Sequence, residues 1–267
     1  MVQIVLPINE NKFCVIANST IEKHVFDKFF PYTEFFDNKN DLTLYELVFS
    51  FENGCVSALK KGVCIYSKRV VNDFDAYKTI IALLRENMIS TGDLCLVHAA
   101  FVDVLGKGIL LLGQSGVGKS TLSAFLNCQP GIVCYSDDIT LVDCSKKTIV
   151  NLSKFISIRK EAMPILNLKD EIVYDSFLDR YLIEFSNRED NKKINAIFDL
   201  NRNDKVKYPR ISECHRQPRS LLAENTYLPY SLKSNLRFSL SFYKSVKELH
   251  YSDLEKTYIF FRENICV

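Results

Sequence analysis

Glycine is scarce in this chain, with 9 among 267 residues and none after Gly131. Turns in the last 136 residues must therefore rely on Asn, Asp and Pro, as in NRND at 201–204. Tryptophan is absent, and no apolar run reaches the roughly 18 residues of a membrane-crossing helix. Neither sign of charge dominates: 34 Lys and Arg face 32 Asp and Glu, and the first hundred residues carry 10 basic and 12 acidic side chains. Nucleic acid is thus not the expected partner. The opening MVQIVLPINENKF lacks the basic n-region of a secretory signal, so neither export nor a membrane is expected. The nine cysteines form no CxxC pair, and no histidine stands at ligand spacing from them. Free thiols in a reducing cytoplasm are the expectation, rather than a disulfide framework or a zinc site.

What glycine there is concentrates in one place: Gly106, Gly108, Gly113, Gly116 and Gly118 put five of the nine within thirteen residues. Backbone there must turn, or approach something closely, without side chains in the way. The surrounding pattern reads as mixed α/β or α+β. QIVLP, FCVIAN, YELVFSF and GVCIYS read as strands in the first 70 residues, while 21–30 is compatible with strand or helix. Asn72 or Asp73 caps a helix whose Phe74, Tyr77, Ile80, Ile81, Leu84 and Met88 recur at helical spacing. LCLVHAAFVDVL and GILLLG read as a hairpin feeding the glycine-rich loop, with a helix following from about Lys119 to Leu126. IVCYSD, ITLVDC, KFISIRKE and NAIFDL read as strands, EIVYDSFLDRYL, SLLAEN and SLSFYKSVKELH as helices, and TYIFFREN as a strand. An N-terminal α+β region over 1–91 and a main domain over 92–267 are expected.

Residues 113–120, GQSGVGKS, match G-x-x-x-x-G-K-[ST] between an apolar strand and a helix-compatible TLSAFL. A chance glycine-rich turn would not have that strand before it and that helix after it. The composition is what phosphate binding requires. Gly116 and Gly118 let successive amides point inward as an anion nest, and the helix N-terminus adds partial positive charge. Lys119 pairs the outer phosphates, and Ser120 offers a hydroxyl to a magnesium ion bridging them. Gly113, Ser115, Val117 and Thr121 complete the candidate nucleotide-binding set. Asp137 and Asp138 follow Lys119 by 18 and 19 residues, the length of one helix and one return strand. Such a pair returns beside the loop with one carboxylate toward a metal and the other toward an incoming hydroxyl; a solvated turn is the rival reading.

From His98 to Asp138 the chain resembles the HPr kinase/phosphorylase family. A histidine (His98) precedes VDV at 102–104, Gly106 and Gly108, then the phosphate loop, then a strand ending in Asp137-Asp138. The resemblance implies a phosphoenolpyruvate carboxykinase-type nucleotide-binding core and an ATP- and magnesium-dependent kinase acting on a Ser or Thr hydroxyl of a peptide or protein. It implies that Asp137 is the base, that Asp138 helps hold the metal, and that His98 belongs to the site, a hydrogen-bonding or core role being the alternative for His98. Homo-oligomers occur in that family and are a further expectation.

No glycine is available for the family's second signature, and Thr121 stands where those enzymes commonly have Glu, so HPr recognition and the reverse phosphorylase reaction are not among the expectations. Instead SIRKEA at 157–162 resembles the S-L-K-E-G stretch of shorter HPr-kinase-like proteins, some encoded with ribosomally made peptides that they phosphorylate. That makes Lys160 a candidate phosphate contact and Glu161 a candidate metal contact, against a solvated strand end. Two other readings stay open: a kinase for a small hydroxyl-bearing metabolite such as free serine or a sugar, and an ATP-binding regulator without transfer. The basic segment 205–219 is either a solvated loop or a surface for an acidic peptide.

Overall fold

The run Ile109–Leu112 is fully buried at all four positions, which requires a strand covered on both faces. In the computed structural model it forms the heart of β9 (Lys107–Leu112), and the two faces feed different cores. Ile109 and Leu111 pack with Leu122, Leu126, Phe198, Leu200 and Phe261, whereas Leu110 and Leu112 pack with Phe101, Tyr135, Ile197, Phe238 and Phe242. The structure describes residues 2–8, 11–17, 34–36, 47–72, 75–76, 78–80, 82–83, 94–138, 140–150, 155–166, 172–176, 178–184, 192–214, 238, 240–242 and 245–265. The architecture is mixed α/β, and the chain divides into two units, Met1–Met88 and Ile89–Val267.

The first unit carries a six-stranded sheet. It is built from β1 (Val2–Ile8), β2 (Asn11–Ala17), β3 (Glu34–Phe36), β4 (Leu47–Glu52), β5 (Cys55–Lys60) and β6 (Val63–Arg69), in the order β3-β1-β2-β4-β5-β6. The four strands expected here form; the 21–30 segment lies outside the described residues. Helical conformation follows at 75–76, 78–80 and 82–83, and the expected cap is Asn72, whose Oδ1 accepts the Asp75 amide at 2.9 Å.

The second unit is organised by a six-stranded sheet. Beside β9 lie β8 (Ala100–Val104), β10 (Ile132–Ser136), β16 (Ile194–Arg202), β17 (Arg210–Glu213) and β18 (Val246–Tyr251), in the order β10-β8-β9-β16-β18-β17. β8 and β9 form the expected hairpin; Asp103 closes its turn by accepting the Gly106 amide at 2.6 Å. After β9 the chain forms α1 (Lys119–Asn127) and returns as β10 on the far side of β8. β10 is antiparallel to β8, as β9 is, so β9 and β10 run the same way. β16 is parallel to β9, and β18 to β16. Four strands therefore deliver their C-terminal ends to one edge, where ligands of open α/β sheets gather.

Two three-stranded sheets complete the unit: β12 (Thr148–Val150), β11 (Thr140–Asp143) and β7 (Leu94–Val97), then β13 (Phe155–Ile158), β15 (Arg180–Glu184) and β14 (Val173–Asp175). The expected single strand at 94–105 is thus two, β7 and β8, in different sheets, with His98 and Ala99 at the break.

Three further expectations are corrected. EIVYDSFLDRYL is a hairpin, β14–β15, because its turn chemistry overrides its spacing. Asp175 Oδ1 accepts the Leu178 amide at 3.2 Å, Asp179 takes φ +52°, and Tyr174 faces Tyr181 across the strands with ring centroids 5.1 Å apart. Among the described residues of SLSFYKSVKELH, 240–242 are helical and 246–250 lie in β18, where pairing on both sides with β16 and β17 decides. TYIFFREN lies within α3 (Leu254–Asn264), started by Asp253, whose carboxylate accepts the Lys256 amide at 2.9 Å. Thr257 and Phe261, one helical turn apart, are its buried residues. A short helical segment, Lys160–Ala162 continuing into α2 (Met163–Leu166), follows β13. SLLAEN lies outside the described residues.

Candidate functional site

The loop leaving β9 takes the shape its glycines allow. Gly113 (φ +142°) and Gly118 (φ +101°) occupy conformations other residues rarely adopt. A Cβ at Gly113 would lie 2.8 Å from Val117 Cγ1, and one at Gly118 would lie 2.9 Å from the Tyr251 hydroxyl. That hydroxyl donates to the Val117 carbonyl at 2.9 Å, so the end of β18 clamps the loop. Burial pushes the Tyr251 phenol up to about 12, which keeps it a donor at neutral pH. Gly118 caps α1 without a side-chain hydrogen bond, and no acidic residue sits in the first turn. The first-turn amides thus stay available to an anion, and the helix dipole favours one. Ser115 and Gly116 are exposed, Ser120 and Thr121 half-buried.

Lys119 is buried and folded back on its own loop: Nζ donates to the Gly113 carbonyl at 2.6 Å and to that of Gln114 at 3.4 Å. Burial lowers its ammonium pKa, while the carboxylates of Asp138, Asp137 and Asp199 oppose that shift. A lysine held by backbone carbonyls can exchange them for phosphate oxygens without moving far.

The turn after β10 holds the aspartates at the same edge. Thr140 Oγ1 donates to the Ala99 carbonyl at 2.9 Å, so Ser136 Oγ must donate to Thr140 across their 2.6 Å contact. This chain of bonds fixes the Asp137-Asp138 turn against the β7–β8 break, where His98 sits. Asp138 is exposed, takes φ +62°, and places Oδ1 2.8 Å from His98 Nε2. Asp137 is buried. Its Oδ2 accepts the Ser157 amide at 3.3 Å, whereas Oδ1 has no hydrogen-bond partner among the described residues. Burial and then the charge of Asp138 push the Asp137 carboxyl up to about 7, against the opposing pull of the Ser120 hydroxyl, the Ser157 amide and Lys119. A carboxylate poised near neutrality, with one oxygen unpartnered, is suited to accepting a proton.

A cavity of about 490 Å³ opens over the loop, lined by His98, Lys119, Ser120, Asp138 and Ser157 on one side and by Arg159, Glu161, Arg180 and Arg202 on the other. Of the residues singled out in the sequence, four lie outside this lining: Gly113 and Val117 of the loop, Asp137, which lies beside Ser120 and Ser157, and the exposed Lys160. Four residues that sequence reasoning missed belong to this edge. Arg159, just after β13, Arg180 of β15 and Arg202 of β16 supply positive charge; Arg159 lies within SIRKEA but was not singled out there, and no local pattern marked the other two. Asp199 did have a signal: it is the one charged residue in the apolar strand NAIFDL, and the structure sets it opposite Leu112, the residue before the loop. It is 6% exposed and acts electrostatically on Lys119.

Magnesium fits the donors present. Ser120 and Asp138 offer hard oxygen, and Glu161 lines the same cavity. Among the described residues no three His, Cys, Asp or Glu side chains converge as a metal centre. Phosphate oxygens and water would have to supply most of the coordination, the arrangement magnesium prefers in phosphoryl-transfer sites. A second grouping, Ser212 with His250 and Glu248, is not a nucleophile relay. Ser212 Oγ at 2.9 Å and Glu248 Oε1 at 3.8 Å face the same nitrogen, Nε2, whereas a relay needs them on opposite nitrogens.

Within the basic segment 205–219, Lys205, Lys207 and Arg210 are exposed, and 215–219 lie outside the described residues. The seven described cysteines are free thiols. Among the described residues no helix is long and apolar enough to cross a membrane. No protein-family model matches the chain, and no curated protein matches it. Among solved structures, the Hpr(Ser) kinase/phosphatase from Coxiella burnetii matches at 14% identity over 61% of this chain and 93% of that chain, with a TM-score of 0.30. A likeness that distant carries no functional argument.

Proposed function

We propose that this protein is an ATP- and magnesium-dependent kinase with a phosphoenolpyruvate carboxykinase-like core, transferring the γ-phosphate to a Ser or Thr hydroxyl of a peptide or protein. One observation carries the reading: the phosphate-loop cation, Lys119, and the carboxylates of Asp137 and Asp138 stand at one sheet edge, close enough that both carboxylates act on the ionisation of Lys119 and the charges of Asp138 and Lys119 act on that of Asp137. The amides of 116–120 and the N-terminus of α1 hold the phosphates, and Lys119 turns from the Gly113 carbonyl to the outer ones. Ser120 and Asp138, with Glu161, would hold magnesium, which when bound offsets charge developing on the transferred group. Asp137 takes the acceptor's hydroxyl proton as the acceptor oxygen bonds to the γ-phosphorus and the bond to the β-phosphate oxygen breaks, releasing ADP. Arg159, Arg180 and Arg202 add fixed positive charge where negative charge spreads.

A second assignment of the aspartates is favoured by the cavity lining. Asp138, tied to His98, faces the cavity, while Asp137 lies beside Ser120, so Asp138 would serve the acceptor and Asp137 the metal side. A cavity of about 490 Å³ also has room for a small hydroxyl-bearing acceptor such as free serine or a sugar. Incubation with magnesium, labelled ATP and both acceptor classes should give a one-phosphate mass gain on one of them. No transfer to either class, with ATP still bound, would leave the protein an ATP-binding regulator.

A further inference from the structure

Two cavities meet at the phosphate loop. The one already described holds the reactive end: Lys119, Ser120 and Asp138. The other, of about 640 Å³, shares Gly118, Thr121, Ile165 and Arg202 with it, and none of its lining belongs to the acid–base or metal groups. Resting on the phosphate-loop reading, we infer that this second cavity takes the base and ribose of the nucleotide. Part of its wall is α1 and the turn that ends it: Thr121 and Phe125 stand about one helical turn apart on α1, and Cys128 and Gln129 follow directly after its last residue, Asn127. A triphosphate whose outer phosphates lie against Lys119 and whose chain runs past Gly118 and Thr121 meets the second cavity, which those two residues also line.

The lining suits a nucleoside. Phe125, Ile165 and Leu166 offer apolar surface to a flat base, and Asp253 and Glu255 place carboxylates at the rim as acceptors for ribose hydroxyls. Asp253 spends one oxygen on capping α3 and keeps the other. Tyr251 joins the two functions, since it lines this cavity while its hydroxyl holds the loop through Val117.

Cys128 is exposed and lines the cavity, so it reports occupancy in the unmodified protein. Alkylation by N-ethylmaleimide is followed by mass spectrometry on the Cys128 peptide, with magnesium and either ATP or inorganic tripolyphosphate. ATP should slow alkylation at least tenfold and tripolyphosphate less than twofold. In parallel, Cys128→Trp should raise the Kd for ATP at least tenfold and leave that for tripolyphosphate within twofold. Equal protection by both ligands, or unchanged ATP affinity in Cys128→Trp, overturns the cavity assignment while the phosphate loop stands. If the wild-type protein binds neither ligand, the phosphate-loop reading has failed and this inference falls with it.

Discussion

His98 Nε2 lies 2.8 Å from Asp138 Oδ1, joining the break between β7 and β8 to the turn after β10. Forty positions separate the two residues in the chain, and the Ser136–Thr140–Ala99 bonds bring them together. The imidazole gives an exposed carboxylate, held at φ +62°, a fixed direction toward the loop.

Orientation of a metal-binding carboxylate by a neighbour typically changes metal affinity by about 10- to 100-fold. His98→Gln is therefore expected to raise the magnesium concentration for half-maximal transfer roughly tenfold, and Asp138→Asn, which removes the ligand itself, to raise it at least as much. Magnesium titrations of both variants and of Asp137→Asn check this. If the large shift belongs to Asp137→Asn, the aspartates' roles are exchanged.

With the Asp137 carboxyl near 7, the base is protonated below that pH. On the primary assignment kcat/KM should fall about tenfold per pH unit below 7 and level off above it, and Asp137→Asn should lose transfer by at least about 100-fold. A pH–rate profile in the wild-type protein that is flat between 5 and 8 contradicts the assignment.

The same shift makes a stability prediction of known sign. A carboxyl raised from 3.8 to about 7 on folding stabilises the protein fully below the lower value, and this contribution is lost as pH rises through 7. Asp137→Asn lacks that loss. Its Tm should therefore exceed that of the wild type at pH 8, by an equivalent on the order of a few kcal/mol, with the gap closing toward pH 4. Thermal melts across that range measure it.

Removing the loop cation tests phosphate binding apart from chemistry. Hydrogen bonds to charged groups contribute about 1.5–3 kcal/mol. Lys119→Met should then weaken ATP roughly 10- to 100-fold in calorimetric titration, and an unchanged Kd would sink the phosphate-loop assignment.

Gly108 lies at the start of the loop's strand, its amide donating to Asn195 Oδ1 at 2.9 Å. A Cβ there would fall on the Lys193 carbonyl oxygen and the Phe101 ring. Gly108→Ala should destabilise the second unit by about 1–3 kcal/mol, read as a lower denaturant midpoint.

The segments that sequence misjudged share a cause. EIVYDSFLDRYL and TYIFFREN each carry apolar and aromatic residues compatible with two periodicities, and the deciding contacts lie elsewhere in the chain or in a single capping side chain. Tyr174 opposite Tyr181 makes sense only once the strands are paired, and Phe261 of α3 is buried because it stacks on Phe198 of β16. Asp253 before α3 was the one local signal that could have reversed the second reading.

The conformation of the glycine-rich loop was legible in sequence alone, because everything it needs is local: glycines that accept positive φ, an apolar strand before them, and a helix whose first amides have no side-chain cap. Tertiary structure decided what stands around that loop. Strand order brings Asp199 beside it, the Ser157 amide meets Asp137, and the end of β13, β15 and β16 bring Arg159, Arg180 and Arg202. The 18-residue spacing returned Asp137 toward the loop, but its pairing with Ser157 and the gathering of the arginines depend on contacts between residues far apart in the chain.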